Sequence, residues 1–271
     1  MDKRPIGVFD SGLGGLTTVR ELCHLLPGED IVYFGDTGRV PYGSRSAETI
    51  VKYARQDVAF LRTFDLKAIV IACGTVSTTS LDILSRENPM PVLGVVAPAA
   101  AAAARTTKNG KIGLIGTQAT IRSGAYERLI HSANPGAQVL SRACPLFVPL
   151  VENGRFRRGD IVIETVVSEY LAPLKEAGVD TLVLGCTHYP LLEGVIAAYM
   201  GPDVQLINAG AEGARAVAGM LEETDALSPN TAGGTYRYFV SDRQEDFSRL
   251  ASIFLGWDVT EAVGQVDISQ Y

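Results

Sequence analysis

The sequence predicts an α/β fold with mostly parallel sheets, built as two related halves. Three observations lead there. Short apolar, β-branched runs alternate with longer stretches of helical periodicity, the pattern of buried parallel strands joined by crossover helices. The pattern restarts near the middle, where Lys111-Ile112-Gly113-Leu114-Ile115-Gly116-Thr117 echoes Pro5-Ile6-Gly7-Val8-Phe9-Asp10-Ser11. Each half also contains an apolar run that stops at a cysteine, Ala68-Ile69-Val70-Ile71-Ala72-Cys73-Gly74-Thr75 and Thr181-Leu182-Val183-Leu184-Gly185-Cys186-Thr187-His188. In open α/β sheets ligands bind beyond the carboxyl ends of the strands, so the two thiols suggest one site with a cysteine on either side.

Composition narrows the class. The chain has 271 residues, 46% of them hydrophobic, and a formal net charge of −6. The mild acidity argues against a nucleic-acid or membrane-surface partner. No apolar run is long enough to cross a bilayer, and the N-terminus lacks the shape of a signal peptide, so the expectation is a cytoplasmic protein. Its four cysteines, Cys23, Cys73, Cys144 and Cys186, are too few for a disulfide framework. Cys23 and Cys144 are read as packing residues, since free cysteine is among the most buried types.

In chain order, the first strand covers residues 6–9 and runs into Asp10-Ser11-Gly12-Leu13-Gly14-Gly15. Leu16, Val19, Leu22, Cys23 and Leu26 then mark one face of a helix. The glycine spacing only partly meets the dinucleotide fingerprint. A second strand over 30–36 exits into Thr37-Gly38-Arg39-Val40-Pro41-Tyr42-Gly43, where Tyr42 is placed either to cover a pocket or as an ordinary surface residue. An amphipathic helix over 46–64 leads to the Cys73 strand. A helix over 77–87, a short strand over 92–96 and an Ala-rich helix opening at Pro98 follow.

In the second half, 111–117 and 138–140 read as strands, and Phe147-Val148-Pro149-Leu150-Val151-Glu152 is strand-like. A helix over 160–176 precedes the Cys186 strand, and the Arg155–Arg158 cluster is a solvated loop. After a strand over 205–208 and a helix over 211–221, residues 227–234 form a loop, 236–240 a strand and 245–255 a helix. This tail is too small for its own core and is expected to dock on one of the halves.

Several chemistries compete for Cys73 and Cys186. As buried hydrophobes they would lie inside the apolar runs, not at their ends. A zinc site lacks ligand spacing, with only His24, His131 and His188 in the chain, and a redox pair would be a local C-x-x-C. A single nucleophile leaves the second thiol idle. Using both thiols gives a two-base racemase or epimerase, in which a thiolate removes a proton from carbon and the opposite thiol returns one. A thiolate near neutrality needs a helix N-terminus or a positive group, and both cysteines precede expected helices. His188 beside Cys186 is either a structural histidine or a relay. Asp10 and Glu152, each ending an apolar run, could tune the thiols or bind an ammonium group, or serve as helix caps.

These residues resemble the cofactor-independent aspartate/glutamate racemase superfamily, and within it the bacterial glutamate racemases. The matching stretches are Phe9-Asp10-Ser11-Gly12-Leu13-Gly14-Gly15-Leu16, Pro41-Tyr42-Gly43, Ala72-Cys73-Gly74-Thr75, Gly116-Thr117-Gln118-Ala119-Thr120 and Leu184-Gly185-Cys186-Thr187-His188-Tyr189-Pro190. Tyr238-Phe239-Val240-Ser241, Phe247 and Phe254-Leu255-Gly256 extend the match to the tail.

The resemblance implies two similar three-layer α/β domains with mostly parallel sheets and an active site in the cleft between them. One would comprise residues 1–97 plus 210–271, the other 98–209. Cys73 and Cys186 would be the two acid/base residues, facing the α-protons of the D- and L-enantiomer respectively, with His188, Asp10 and Glu152 beside them. Asp10, Ser11, Tyr42, Gly43, Gly74, Thr75, Thr187 and His188 would line the substrate, with Thr117 and Thr120 near its carboxylates. The implied role is interconversion of L- and D-glutamate for peptidoglycan, with no pyridoxal phosphate or metal. The alternatives are a racemase for another amino acid such as aspartate, or a small-ligand binding protein with inert cysteines. A homodimer is left open. The chain departs from the family at Gly74, where Asn is usual, at Ala97, where an acidic residue is common, and at Asn208, where Asp is common. These bear on substrate selectivity more than on reaction type.

Overall fold

The computed structural model describes residues 1–259 and 262–271. Among them, the strands fall into two sheets, and every strand pairing is parallel. The first sheet contains β1 (Ile6–Asp10), β2 (Ile31–Gly35), β3 (Ala68–Ile71), β4 (Val92–Gly94), β9 (Tyr236–Val240) and β10 (Val263–Gln265), in the order β10-β9-β2-β1-β3-β4. The second contains β5 (Lys111–Gly116), β6 (Gln138–Ala143), β7 (Thr181–Leu184) and β8 (Gln205–Asn208), in the order β6-β5-β7-β8. The arrangement β2-β1-β3-β4 thus recurs as β6-β5-β7-β8, which is the repeat seen in the sequence.

Strand periodicity divides each sheet between two helical layers. Ile6 and Val8 pack on one face with α1 (Leu16–Leu25) and α12 (Gln244–Leu255), whereas Phe9, Phe34 and Ile71 pack on the other with α2 (Ala47–Leu61) and α3 (Gly74–Thr79). In the second sheet Leu182 and Leu184 join α9 (Ile161–Glu176), while Ile112, Leu114 and Val183 join α5 (Val96–Thr106) and α7 (Ala125–Ala133). Each fully buried Val, Leu or Ile contributes about 1.5–3 kcal/mol, so these layers offset the cost of the polar groups buried at the strand ends.

The tail docks on the first half, as expected from its size. β9 pairs with β2 from Ile31↔Tyr236 to Gly35↔Val240. The strand it needs beyond, β10, is too short to stand out in the sequence. A buried ion pair anchors the return. Lys67 Nζ lies 2.5 Å from Glu29 Oε2 and donates to the Asp2 and Ala226 carbonyls, while Glu29 Oε1 accepts from the Ser228 amide at 2.7 Å.

Four local expectations are corrected. Residues 147–152 form a helix, α8 (Phe147–Glu152), with Phe147 and Val151 buried one turn apart. A six-residue apolar run fits either period, and Pro149 in the first turn loses no helical hydrogen bond. The helix expected over 77–87 starts earlier, as α3 at Gly74, and breaks at Ser80 before α4 (Leu81–Glu87). The Ala-rich helix α5 opens at Val96, two residues ahead of Pro98, which the unbonded first turn tolerates. No α-helix directly follows Cys186. A 3₁₀ turn over Tyr189–Leu192 comes first, and α10 (Glu193–Met200) begins after it. The short helices α6 (Gln118–Ser123) and α7 were not distinguishable from loop in the sequence. Among the described residues no helix is long and apolar enough to cross a membrane.

Candidate active site

A cavity of about 400 Å³ opens where the carboxyl ends of the two sheets meet. Its wall is made by the loops after β1 (Ser11, Gly12), β2 (Val40, Pro41, Tyr42, Gly43, Ser44) and β3 (Cys73, Gly74, Thr75). The second half contributes loops after β5 (Thr117, Gln118), β6 (Cys144, Pro145) and β7 (Gly185, Cys186, Thr187, His188), and Val148, Pro149 and Glu152 of α8. This volume lies at the small end of ligand sites and suits a molecule of amino-acid size.

β3 delivers Cys73. The Ala72 amide continues the ladder by donating to the Phe9 carbonyl at 3.0 Å, and Cys73 then caps α3, its carbonyl accepting from the Ser77 amide at 2.9 Å. Its thiol donates to Ser11 Oγ at 3.5 Å. Burial, reinforced by the negative charge of Asp10 and opposed by the Ser11 contact, pushes the Cys73 thiol up to about 12. Asp10 ends β1 and is itself buried, with Oδ2 accepting from the Gly12 amide at 3.0 Å. Burial raises its carboxyl above the usual range, against the pull of His188 and the amides of Gly15, Gly12 and Ser11. Asp10 stands behind the cavity wall, as does Thr120.

β7 delivers Cys186 in the same way, the Gly185 amide donating to the Ile115 carbonyl at 2.8 Å. Two residues on, His188 is 7% exposed. Its Nε2 lies 3.0 Å from Glu152 Oε1, and its ring meets Phe254 edge-on at 5.3 Å. Burial alone would lower the imidazole, but hydrogen bonds and charge from Cys186 and Glu152 overcome it and push it up to about 10. These contacts favour the imidazolium form of His188. The helical conformation of α8 brings Glu152 to it.

The two halves touch through glycines. A Cβ on Gly14 would overlap Thr187 Oγ1 and lie 2.5 Å from His188 Nδ1. A Cβ on Gly74 would lie 2.7 Å from the Gly185 carbonyl oxygen, closer than real side chains come to backbone, so Gly74 permits this approach where any residue with a side chain would need the backbone to shift. The Thr17 hydroxyl donates to the Thr187 carbonyl at 2.9 Å. Thr75, Thr117 and Thr120 form a chain of hydroxyls, 3.0 Å at each step, that also crosses between the halves.

Tyr42 lines the cavity, and its buried hydroxyl is engaged with Asp36 and, at 3.1 Å, with Asp57. Asn208 lies away from the cavity, capping α11 (Ala209–Glu223) through the amides of Gly210 and Ala211, and Ala97 is an exposed residue of α5. Cys23 packs under the first sheet. Cys144 is buried, as its reading as a packing residue requires, yet it also borders the cavity, and burial pushes its thiol up to about 12. Its place at the end of β6, before Pro145, was the available signal. Among the described residues, no group of three or more His, Cys, Asp or Glu side chains is arranged to hold a metal ion.

Comparison with known proteins places this geometry in a family. The chain is 47% identical to a glutamate racemase of Geobacter metallireducens over 256 residues, 94% of each chain. Its fold matches the crystal structure of a Bacillus anthracis glutamate racemase isoform with a TM-score of 0.93, at 40% identity and 98% coverage of both chains. It matches a Francisella tularensis glutamate racemase, solved in complex with D-glutamate, with a TM-score of 0.91 at 38% identity over 100% of both chains. The family model described as Asp/Glu/Hydantoin racemase matches residues 15–217, the span that includes both cysteine loops. With two thiols on equivalent strands of a repeated α/β unit, and relatives matched along nearly its whole length, the chain belongs to the Asp/Glu/hydantoin racemase family.

Proposed function

We propose that this protein is a glutamate racemase that interconverts L- and D-glutamate with Cys73 and Cys186 as its two bases. The observation that carries the mechanism is that both thiols border one amino-acid-sized cavity from topologically equivalent loops of the two halves. Residues 1–97 with 210–271 form one body of the cleft and 98–209 the other.

The reaction from L-glutamate starts with Cys73 as the thiol, in keeping with its raised pKa, and uses Cys186 as the base, next to His188, whose hydrogen bonds favour the imidazolium. L-Glutamate binds with its α-hydrogen toward Cys186. The Cys186 thiolate takes that proton, leaving a carbanion conjugated with the α-carboxylate. The Cys73 thiol then gives its proton to the opposite face. D-Glutamate leaves with the thiolate now at Cys73 and the thiol at Cys186. The reverse reaction starts from that state. Asp10, raised by burial, lies near enough for its charge to act on Cys73, and Glu152 helps hold His188 toward the imidazolium.

The remaining groups bind the substrate. Ser11, the Tyr42-Gly43 and Gly74-Thr75 segments, Thr117 and Thr187 offer hydroxyls and backbone amides to its two carboxylates and ammonium group, with Thr120 holding Thr117 in place. The product supplies D-glutamate for peptidoglycan, in a cytoplasm that keeps the thiols reduced.

Purified protein, exhaustively chelated and given no pyridoxal phosphate, should interconvert the glutamate enantiomers when followed by circular dichroism. Loss of activity on chelation, restored by a metal, would refute the two-thiol mechanism. Turnover of aspartate but not glutamate would reassign the substrate, and turnover of no amino acid would leave a binding protein.

A further inference from the structure

Behind the cavity wall lies a buried charged cluster that the two-thiol mechanism does not use. Asp36 follows β2, and Asp57 lies in α2. Both side chains are fully buried. Arg39 joins them, with Nε 2.6 Å from Asp36 Oδ2, one terminal nitrogen 3.0 Å from Asp57 Oδ1 and the other 2.6 Å from Gln56 Oε1. The guanidinium also stacks over the Tyr53 ring at 4.2 Å. Ser241, at the end of β9, donates to Asp36 Oδ1 at 2.7 Å.

The Tyr42 hydroxyl makes two contacts here, one to Asp36 Oδ2 and one of 3.1 Å to Asp57 Oδ2. A phenol has a single proton to donate. If both carboxyls were ionised, one contact would set lone pair against lone pair, and two buried negative charges would face one guanidinium. A proton on Asp57 Oδ2 resolves both problems. Asp57 then donates to the Tyr42 oxygen, and Tyr42 donates to the Asp36 carboxylate. Arg39 pairs with Asp36 and donates to the free oxygen of Asp57.

We propose that Asp36, Arg39 and a protonated Asp57 form a positioning cluster that clamps Tyr42 and so fixes residues 40–44, the wall that faces the substrate. Burial and the charge of Asp36 both push the Asp57 carboxyl well above its ordinary range, against Arg39 and Tyr42. The clamp sets more than one contact. Val40, Pro41, Tyr42, Gly43 and Ser44 all line the cavity, and a Cβ on Gly43 would lie 3.1 Å from Thr117 Cβ across the cleft. A shift of this wall alters substrate fit while leaving both thiols in place. The cluster therefore acts on binding and not on proton transfer. These are positioning residues, and their effect on glutamate rests on the function proposed above.

The test compares wild type with Asp57→Asn, Asp57→Leu and Tyr42→Phe in glutamate racemisation. Asn supplies a neutral donor of the same shape, so Asp57→Asn should keep KM and kcat within about twofold of wild type. Asp57→Leu should raise KM about tenfold, the scale of one lost buried hydrogen bond, with kcat changed less than about threefold. Added to Tyr42→Phe, it should raise KM no further. The proposal is overturned if Asp57→Asn raises KM as much as Asp57→Leu, if either lowers kcat with KM unchanged, or if Asp57→Leu and Tyr42→Phe act additively.

A second measurement needs no activity and no stable Leu variant. The infrared spectrum of wild type should contain the carbonyl band of a buried protonated carboxyl that Asp57→Asn removes, and identical spectra would overturn the proposal. A wild type with that band but no glutamate turnover would refute the glutamate reading and uphold the protonated cluster.

Discussion

Cys73 and Cys186 occupy equivalent places in the two halves but have unlike neighbours. Phe9 pairs with Ile71, two residues before Cys73, and Ile115 pairs with Leu184, two residues before Cys186. In that register Asp10 corresponds to Gly116, Gly74 to Thr187 and Thr75 to His188. Beside the first thiol stands a buried carboxyl, and its pKa rises to about 12. Beside the second stands His188, within hydrogen-bond distance of Glu152 and with its pKa pushed up to about 10. The repeated scaffold brings both thiols to one cavity, and the residues that are not repeated give each a different electrostatic setting. A racemase needs this inequality, because the two thiols must be in different protonation states whenever substrate binds.

The largest effect should come from removing either thiol. Cys73→Ala or Cys186→Ala should lower racemisation by at least about 10²–10⁴-fold, because each turnover needs both. Half of the chemistry should remain. With a glutamate analogue carrying a β-halogen, proton abstraction leads to irreversible elimination. Cys73→Ala should then eliminate from the L-analogue alone and Cys186→Ala from the D-analogue alone. If each variant handles both enantiomers equally, the thiols do not flank the substrate.

Removing the unlike neighbours tests the asymmetry. Asp10→Ala and His188→Ala should each cost about 10²-fold, the low end for an acid–base group. Because L- and D-glutamate have equal free energy, kcat/KM must fall equally in both directions. The difference has to show in kcat. His188→Ala should depress kcat more from L-glutamate, where Cys186 is the base, and Asp10→Ala more from D-glutamate. Equal kcat losses in both directions for both variants would mean that neither residue is dedicated to one thiol.

Gly74→Ala probes the point where the halves meet. Its methyl group would lie 2.7 Å from the Gly185 carbonyl, so the backbone must shift. We expect KM to rise about three- to tenfold with kcat less affected, a loss of binding and not of chemistry. An unchanged KM would show that the cleft closes without this contact.

The smallest effect should be a displacement in pH. Glu152→Gln removes one source of the raised His188 pKa, so the imidazolium should be lost at lower pH and the alkaline limb of kcat from L-glutamate should move down. Stability follows the same sign. The folded-state value, about 10, lies above the reference value of 6.5. The contribution is therefore complete below about pH 6.5 and is lost as pH rises through about 10. Denaturant titrations across that window should show the wild-type advantage over Glu152→Gln shrinking toward its upper end. A constant difference would mean that His188 is neutral throughout.

Much of this was legible in the chain. Parallel strands buried on both faces must be continuous apolar runs, so β1, β2, β3, β5 and β7 stood out, and a cysteine at the end of such a run falls at the ligand-binding edge. The helices α6 and α7 and the strand β10 were missed because short elements lack enough turns or alternations to show a period. Glu152 was picked out as a candidate from a run whose secondary structure was misread, since six apolar residues fit strand and helix alike.

The sequence by itself determined the two-fold α/β plan, the pair of thiols and the family, because burial of parallel strands and the glycine-rich turns beside them are written in local runs of residues. The tertiary structure alone decided how the thiols differ. Glu152 reaches His188 from 36 positions away, Gly14 lets the first half close against Thr187 and His188, and Asp36, Arg39 and Asp57 meet Tyr42 between a loop and the helix that follows it. Charge–charge and hydrogen-bond energies depend on distance and burial in space. No local pattern of residue types records either of these.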